Sequence, residues 1–287
     1  MPTLKVAICI PVYGMTHARF TQSLANLIVH SLGATVVRGE AAEPVSLAIE
    51  TFMVSSSMLT ESRHRLVAEA LAWEADYMLC LDADHVFPPD ALLRLLGHGL
   101  PVVGCNYPRR FAPTAPTAAI ESGATGPADG EAEADRLLLY TTREKAEAGE
   151  IEACAHLGFG LLLIDMRVFD ALQAKAEADA DEDGPGPQPG TGNFLPLFKF
   201  EPTANKVGMI GEDVFFFRKL AEAGIRPFVD HKLSWEIGHL FEIVLTNGHA
   251  FAQRDAWAEH RRRRTDRFAR KAAEIEQRAE EALSHGE

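Results

Sequence analysis

The stretch from Lys5 to Val12 is a continuous apolar run closed by Tyr13-Gly14, which predicts a strand buried on both faces. From His17 to Leu32 the apolar positions Phe20, Leu24, Leu27, Ile28 and Leu32 recur near helical spacing, so strand, loop and helix follow one another. A second strand is expected within Val45–Val54. Leu59, Leu66, Val67, Ala70 and Leu71 then mark a helix over Ser57–Glu74, and Tyr77–Leu81 is again strand. Pro89 suits a first helical turn, Leu92, Leu93, Leu95 and Leu96 supply its apolar content, and Gly97 can end it. Pro101–Cys105 follows as a strand. Such alternation predicts a three-layer α/β fold with a mostly parallel central sheet.

The middle of the chain behaves differently. Residues 121–136 and 177–192 are rich in Ala, Gly, Pro and acidic residues, a composition that buries too little apolar area to offset its ordering entropy, so both are expected to be surface loops. Cys154–Asp165 reads as a strand interrupted by glycines, Met166–Lys175 as a short helix, and the segment after Gly211-Glu212-Asp213 as another helix closed by Gly224. Phe228–Ile237 alternates like a strand, and from Asp255 a charged, Ala-rich helix runs almost to the end. The expected organisation is one α/β domain over 1–245 and a charged helical extension over 246–287.

Composition narrows the class. With 287 residues, 47% hydrophobic and 24% charged, the chain can bury a substantial core. The opening apolar run is too short for a membrane span and has neither the basic start nor the cleavage site of a signal peptide, so a soluble, cytoplasmic protein without a membrane span is expected. Cys9, Cys80, Cys105 and Cys154 lie in or beside apolar runs without CxxC spacing, which favours buried reduced thiols over a disulfide framework or zinc site. A net charge of −13 disfavours a general nucleic-acid surface; the local exception is the basic run from His260 to Lys271.

Candidate chemistry begins at LCLDADHVFPPD, residues 79–90. Asp82 and Asp84 follow an apolar strand, and in open α/β sheets ligands collect beyond the carboxyl ends of the strands. Two carboxylates this close repel each other. A divalent cation, Mn²⁺ or Mg²⁺, would relieve that repulsion and accept phosphate oxygens; the alternative is a pair of ordinary loop acids. Glu212 and Asp213 fall in the first turn of a helix, either as simple charge–dipole partners or as a site where an ionised carboxylate acts as a general base. His239 follows a further apolar segment and is either structural or a metal ligand. Arg63 shares a helix face with Leu59, Leu66, Val67 and Ala70, so its guanidinium points inward and needs an anion: Asp82 or the diphosphate of a ligand.

Together ICIPVYG, ESRHRLVAEAL, YMLCLDADHVFPPDALLRLL, VVGCNYPRR, HLGFGLLLIDMRVFDAL, GEDVFFFRKLAEAG and the late IGH resemble the ordered landmarks of GT-A-fold glycosyltransferases, near glycosyltransferase family 2 and similar bacterial and phage enzymes. The resemblance spans about residues 5 to 240 and implies a metal-dependent transfer of sugar from a nucleotide-diphosphate-sugar to an acceptor hydroxyl. It makes Asp84 the metal ligand, places Asp82 toward ribose, donor sugar and metal, and matches His239 to a late metal-binding histidine. Asp213, with Glu212 beside it, corresponds to the acceptor-activating base of an inverting enzyme. Pro11, Tyr13, Arg63 and Arg109 fall on the donor side, and Gly158 and Gly160 in a glycine-bearing loop near the acceptor. The acceptor class, whether glycan, lipid-linked, protein or modified nucleic acid, is not specified by it, and a homo-oligomer is compatible with it.

Departures from the family pattern are Arg63-His64 where Arg-Asn is common, and no clear acid after the second strand, Glu50 being the nearest. Haloacid-dehalogenase-like phosphatases also place DxD after a strand, but their later metal-completing acid would fall at position 217, which is Phe. A nucleotidyltransferase of related fold would need a Gly-rich, basic first loop, and a non-catalytic sugar-nucleotide-binding protein would keep the pocket without turnover. The basic run at 260–271 has three candidate partners: the protein's own acidic segments, an anionic membrane surface or a nucleic acid.

Overall fold

The computed structural model of the protein describes residues 3–36, 44–111, 113–120, 137–183, 195–202, 208–241 and 243–284. β1 (Thr3–Val12), α1 (Ala18–Leu32), β2 (Ser46–Ser55), α2 (Leu59–Ala72) and β3 (Tyr77–Leu81) alternate as the apolar pattern predicts. They are followed by β4 (His85–Val86), α3 (Ala91–Gly97), β5 (Val102–Gly104), β6 (Ala119–Ile120), β7 (Leu137–Leu138), α4 (Arg143–Ala148), β8 (Ile151–Ala153), β9 (Leu161–Asp165) and α5 (Arg167–Asp183). After β10 (Glu201–Pro202) and β11 (Met209–Ile210) come α6 (Glu212–Glu222), β12 (Phe228–Asp230), α7 (His231–Glu236), β13 (Gly238–Phe241), β14 (Ile243–Thr246), α8 (Asn247–Ala252) and α9 (Arg254–Ser284).

Seven strands form the central sheet in the order β2-β1-β3-β9-β5-β12-β8. β1 pairs parallel with β2 and β3, and β5 with β12, whereas β9 and β8 run against their neighbours. Five strands therefore share one direction. Alternation along β1 divides the core: Val6, Ile8 and Ile10 join Phe20, Leu24 and Leu27 of α1 and Leu92 and Leu95 of α3. Ala7 and Cys9 join Leu66, Val67 and Ala70 of α2, together with Phe216 and Phe217 of α6. Helices thus cover both faces, giving the expected three layers, and each fully buried Leu, Ile or Phe contributes about 1.5–3 kcal/mol. All four cysteines are free and buried; burial pushes the Cys80 thiol up to about 12. Among the described residues no helix is long and apolar enough to cross a membrane.

Three local expectations change. Only Leu161–Asp165 of the 154–165 segment is strand in the sheet. Cys154–Gly160 leaves it, and the backbone at Gly158 and Gly160 is pressed against Tyr107 and His85 so closely that an added Cβ would lie 2.0 and 2.5 Å from them. The alternating segment from Phe228 is strand only to Asp230, whose carboxylate accepts from Leu233 N–H at 2.8 Å and caps α7; the cap turns HKLSWE into a helix. Within 177–192, the first seven residues continue α5 to Asp183. Ala is the best helix former, and i,i+4 pairs Gln173–Glu177 and Lys175–Asp179 support the extension. Residues 184–192, and all of 121–136, lie outside the described residues.

Candidate functional site

β3 ends at Leu81, near the middle of the sheet, and Asp82 and Asp84 follow at its carboxyl end. β4 then pairs antiparallel with β13, setting His85 opposite His239; the two rings stack at 4.2 Å. Leu240 N–H donates to the Asp84 carbonyl at 2.7 Å, holding the loop on β13. One ligand atom each from Asp84, His85 and His239 lies within 4.8 Å of the others.

The hydrogen bonding of this trio is incomplete in a way that points to a cation. His239 Nδ1 lies 2.8 Å from the Pro108 carbonyl, which only accepts, so Nδ1 carries the proton and a neutral ring turns the Nε2 lone pair outward. That Nε2 sits 3.5 Å from Asp84 Oδ1. His85 Nδ1 is 2.9 Å from the same oxygen, yet the orientation is not that of a hydrogen bond: among the described residues, buried Asp84 Oδ1 and both ring nitrogens of His85 have no hydrogen-bond partner. A carboxylate oxygen and an imidazole lone pair that face each other in a buried space need a proton or a metal between them. The donor of the other His239 nitrogen to a backbone carbonyl is the usual arrangement behind a metal-ligating imidazole. The exposed Arg110 reaches Asp84 Oδ2 at 2.7 Å. Neither His85 nor Arg110 was singled out by sequence; His85 directly follows the DxD tripeptide, and Arg110 is the second Arg of VVGCNYPRR.

Asp82 belongs to a different grouping. Arg63, buried on the inner face of α2, donates to Asp82 at 3.1 Å and to Glu212 at 3.4 Å, and its guanidinium lies 4.4 Å from the centre of the Phe159 ring. The inward guanidinium thus has two carboxylate partners, one after β3 and one in the first turn of α6. Burial raises the Glu212 pKa, and Arg63 only partly opposes it. Asp213, half-buried, accepts from its neighbour Val214 N–H at 2.7 Å. Burial raises its pKa too, against the Val214 N–H and the charges of Arg63 and Arg109.

Tyr107, also missed by sequence, lies at the junction. Its hydroxyl accepts from Gly160 N–H at 2.9 Å, and its ring stands edge-on to His85 and His239 at 4.3 and 5.4 Å. Burial, then the charges of Asp82 and Asp213, push its phenol up. Gly158 and Gly160 are buried against this ring and His85, and form the floor of the site. Arg109 lies 5.6 Å from the Trp257 ring. Pro11 and Tyr13 end β1 on the same edge, Tyr13 being 83% exposed. His64 accepts from Leu197 and Phe198 N–H at 3.1 and 3.2 Å, and burial lowers its pKa so that it stays a neutral acceptor. Glu50 is exposed in mid-β2, opposite Ala7 and far from the strand's carboxyl end.

A second group of potential ligands, Glu150, Glu152 and His231, lies at the β8 edge. Here the bonding is complete: Thr141 Oγ1 meets His231 Nδ1 at 3.0 Å, His231 Nε2 meets Glu152 at 2.9 Å, and Lys145 neutralises Glu152 and approaches Glu150 at 3.8 Å.

No family model matches the chain, and no curated protein matches it. Among the solved structures similar to the chain, at 12% identity each, are A197 from STIV (TM-score 0.45, covering 86% of this chain and 92% of that one), the catalytic domain of Drosophila beta1,4galactosyltransferase 7 complexed with xylobiose (TM-score 0.39, 79% and 65%), and GalNAc-T7 with UDP, GalNAc and Mn2+ (TM-score 0.46, 83% and 43%). Likenesses this distant carry no conclusion about chemistry, which rests on the residues themselves.

Proposed function

We propose that the protein is a metal-dependent, GT-A-type glycosyltransferase that moves a sugar from a nucleotide-diphosphate-sugar to an acceptor hydroxyl with inversion. The observation that carries this is Asp84 Oδ1, without a hydrogen-bond partner among the described residues, facing the lone-pair nitrogen of His239 at the carboxyl end of β3. Asp84 and His239, with His85 as a third donor, would hold the divalent cation, which when bound offsets the charge growing on the departing diphosphate. Two imidazoles beside one carboxylate suit Mn²⁺ better than Mg²⁺, which prefers an all-oxygen shell.

Asp213 serves as the base: it takes the acceptor proton as that oxygen bonds to the anomeric carbon and the bond to the diphosphate breaks. Its raised pKa brings it closer to the operating pH, where a general base works best. Arg63, already engaged by two carboxylates, holds Asp82 and the start of α6 in register rather than binding phosphate. Asp82, Pro11, Tyr13 and Arg109 border the donor. Residues 1–245 would be the catalytic unit and 246–287 its extension, and four buried free thiols suit a reducing compartment such as the cytoplasm.

The test is a thermal-shift panel of nucleotide-sugars with and without Mn²⁺, followed by release of nucleoside diphosphate. Asp213→Asn is expected to keep donor binding and lose about 10²- to 10⁴-fold in turnover. Near-normal turnover removes Asp213 from the role, and donor binding without any turnover in the wild type leaves a non-catalytic sugar-nucleotide-binding protein.

A further inference from the structure

α9 is 31 residues long, about 46 Å at 1.5 Å per residue. Its beginning is anchored. Trp257 is buried, its ring 5.1 Å from Phe111 and stacked at 5.6 Å on His260, and Gln253, just before the helix, accepts from Thr114 N–H at 3.0 Å. The anchor is therefore Phe111 and Thr114, beside Arg110, which reaches Asp84.

Beyond the anchor the helix is exposed and strongly basic. Residues 261–271 hold seven basic groups and one acid, a net +6 in a chain of net −13. Arg262 and Arg263 are taken up by Glu259. Arg264, Arg267, Arg270 and Lys271 are exposed, with no carboxylate in ion-pair distance among the described residues. At 100° per residue these four share about 120° of arc over about 10 Å of axis. Cations stacked at i,i+3 and i,i+4 repel one another, so the face is most stable against an anion that repeats along it.

We propose that this face binds the phosphate backbone of a nucleic acid. A nucleotide-sugar offers two phosphates, too few for a row of four cations. An anionic membrane is the poorer fit, because over residues 261–278 the large apolar groups are Phe268 and Ile275, set among charges on every side. Guanidinium groups bind phosphate oxygens in pairs, and a polymer backbone meets several at once with release of counterions. Because the helix is rooted on Phe111 and Thr114, beside the Arg110 that reaches Asp84, a bound strand would be tethered to a neighbour of the candidate site. The binding itself does not depend on the transfer reaction; that the bound polymer is the acceptor rests on the transferase proposal.

The experiment is an anisotropy titration of the full chain against labelled 20-nucleotide single-stranded and duplex DNA of mixed sequence, from 50 to 200 mM salt, with phosphatidylserine vesicles in a parallel arm. Sequence-independent binding is expected, weakening about a hundredfold over that range, as four phosphate contacts imply. In the variant Arg264→Gln, Arg267→Gln, Arg270→Gln, Lys271→Gln, binding and most of its salt dependence should be lost while helix content and Mn²⁺ affinity stay the same. No binding by the wild type at 50 mM salt, equal affinity in the variant, or a preference for vesicles overturns the proposal. Oligonucleotide binding that the variant loses, in a chain that turns over no nucleotide-sugar, sustains the surface and defeats the transferase instead.

Discussion

The two His-carboxylate clusters use the same residue types and end in opposite electrostatic states. At the β8 edge every group has its complement: neutral His231 accepts from Thr141 and donates to Glu152, and Lys145 supplies the positive charge. At the end of β3, Asp84, His85 and His239 converge, and among the described residues Asp84 Oδ1 and both His85 nitrogens have no hydrogen-bond partner. Arg110 sits on the outer oxygen. Proximity of ligand-type residues therefore does not distinguish the two clusters; what does is the set of buried polar atoms left unsatisfied at the end of β3.

The largest effect should separate the clusters outright. Asp84→Asn is expected to weaken Mn²⁺ binding by more than about 100-fold, beyond the loss typical of an outer-shell partner, while Glu152→Gln leaves it unchanged; titration calorimetry reads both. Equal losses, or none, would erase the distinction.

Next in size is the buried tie between the site's two acidic elements. Arg63→Met strands Asp82 and Glu212 without their cation, and the cost expected for breaking a buried pair is about 3–5 kcal/mol in urea unfolding. A change below 1 kcal/mol would mean that water already solvates the pair.

The β8-edge cluster should behave as a stability element. Glu152→Gln weakens the bond from the buried His231 ring, with an expected cost of about 1–3 kcal/mol at neutral pH. Burial lowers the His231 pKa below its ordinary 6.5, only partly offset by Glu152. Lys145 and His231 outweigh burial at Glu152 and take it below 4.5. In both cases the unfolded chain binds more protons as pH falls, so stability is lost on acidification, first below about 6.5 and again below about 4.5. The variant should keep the first loss and show a smaller second one, since Asp165, Glu201 and Asp230 also have lowered pKa values, in unfolding midpoints at pH 7.5, 5.5 and 4; identical profiles would exclude Glu152 as a contributor.

The smallest effect concerns Tyr13. Because its side chain is 83% exposed, Tyr13→Ala should change stability by no more than about 0.5 kcal/mol, yet weaken nucleotide-sugar binding in the thermal-shift panel. Unchanged donor affinity would remove it from the nucleotide edge.

Local periodicity was enough to determine much of this molecule. The apolar runs of β1 and β3, the helical spacing of α1 and α2, and the inward position of Arg63 are short-range properties, and so is the place of Asp82 and Asp84 at a strand end. Where the reading of 228–237 failed, a local device was overlooked: Asp230 caps a helix that alternation had disguised as strand. Alanine likewise carried α5 through a segment whose acidity suggested a loop. What only the tertiary structure decided were pairings across long stretches of chain. Arg63 could have met Asp82 or a ligand, and Glu212, 149 residues away, completes its shell. His239 became a ligand candidate because β13 lies beside β4 and the Pro108 carbonyl, 131 residues distant, sets its tautomer. Sequence pattern reports the period of a single element; the protonation and charge of a buried group depend on which other elements close around it, and no local period encodes that.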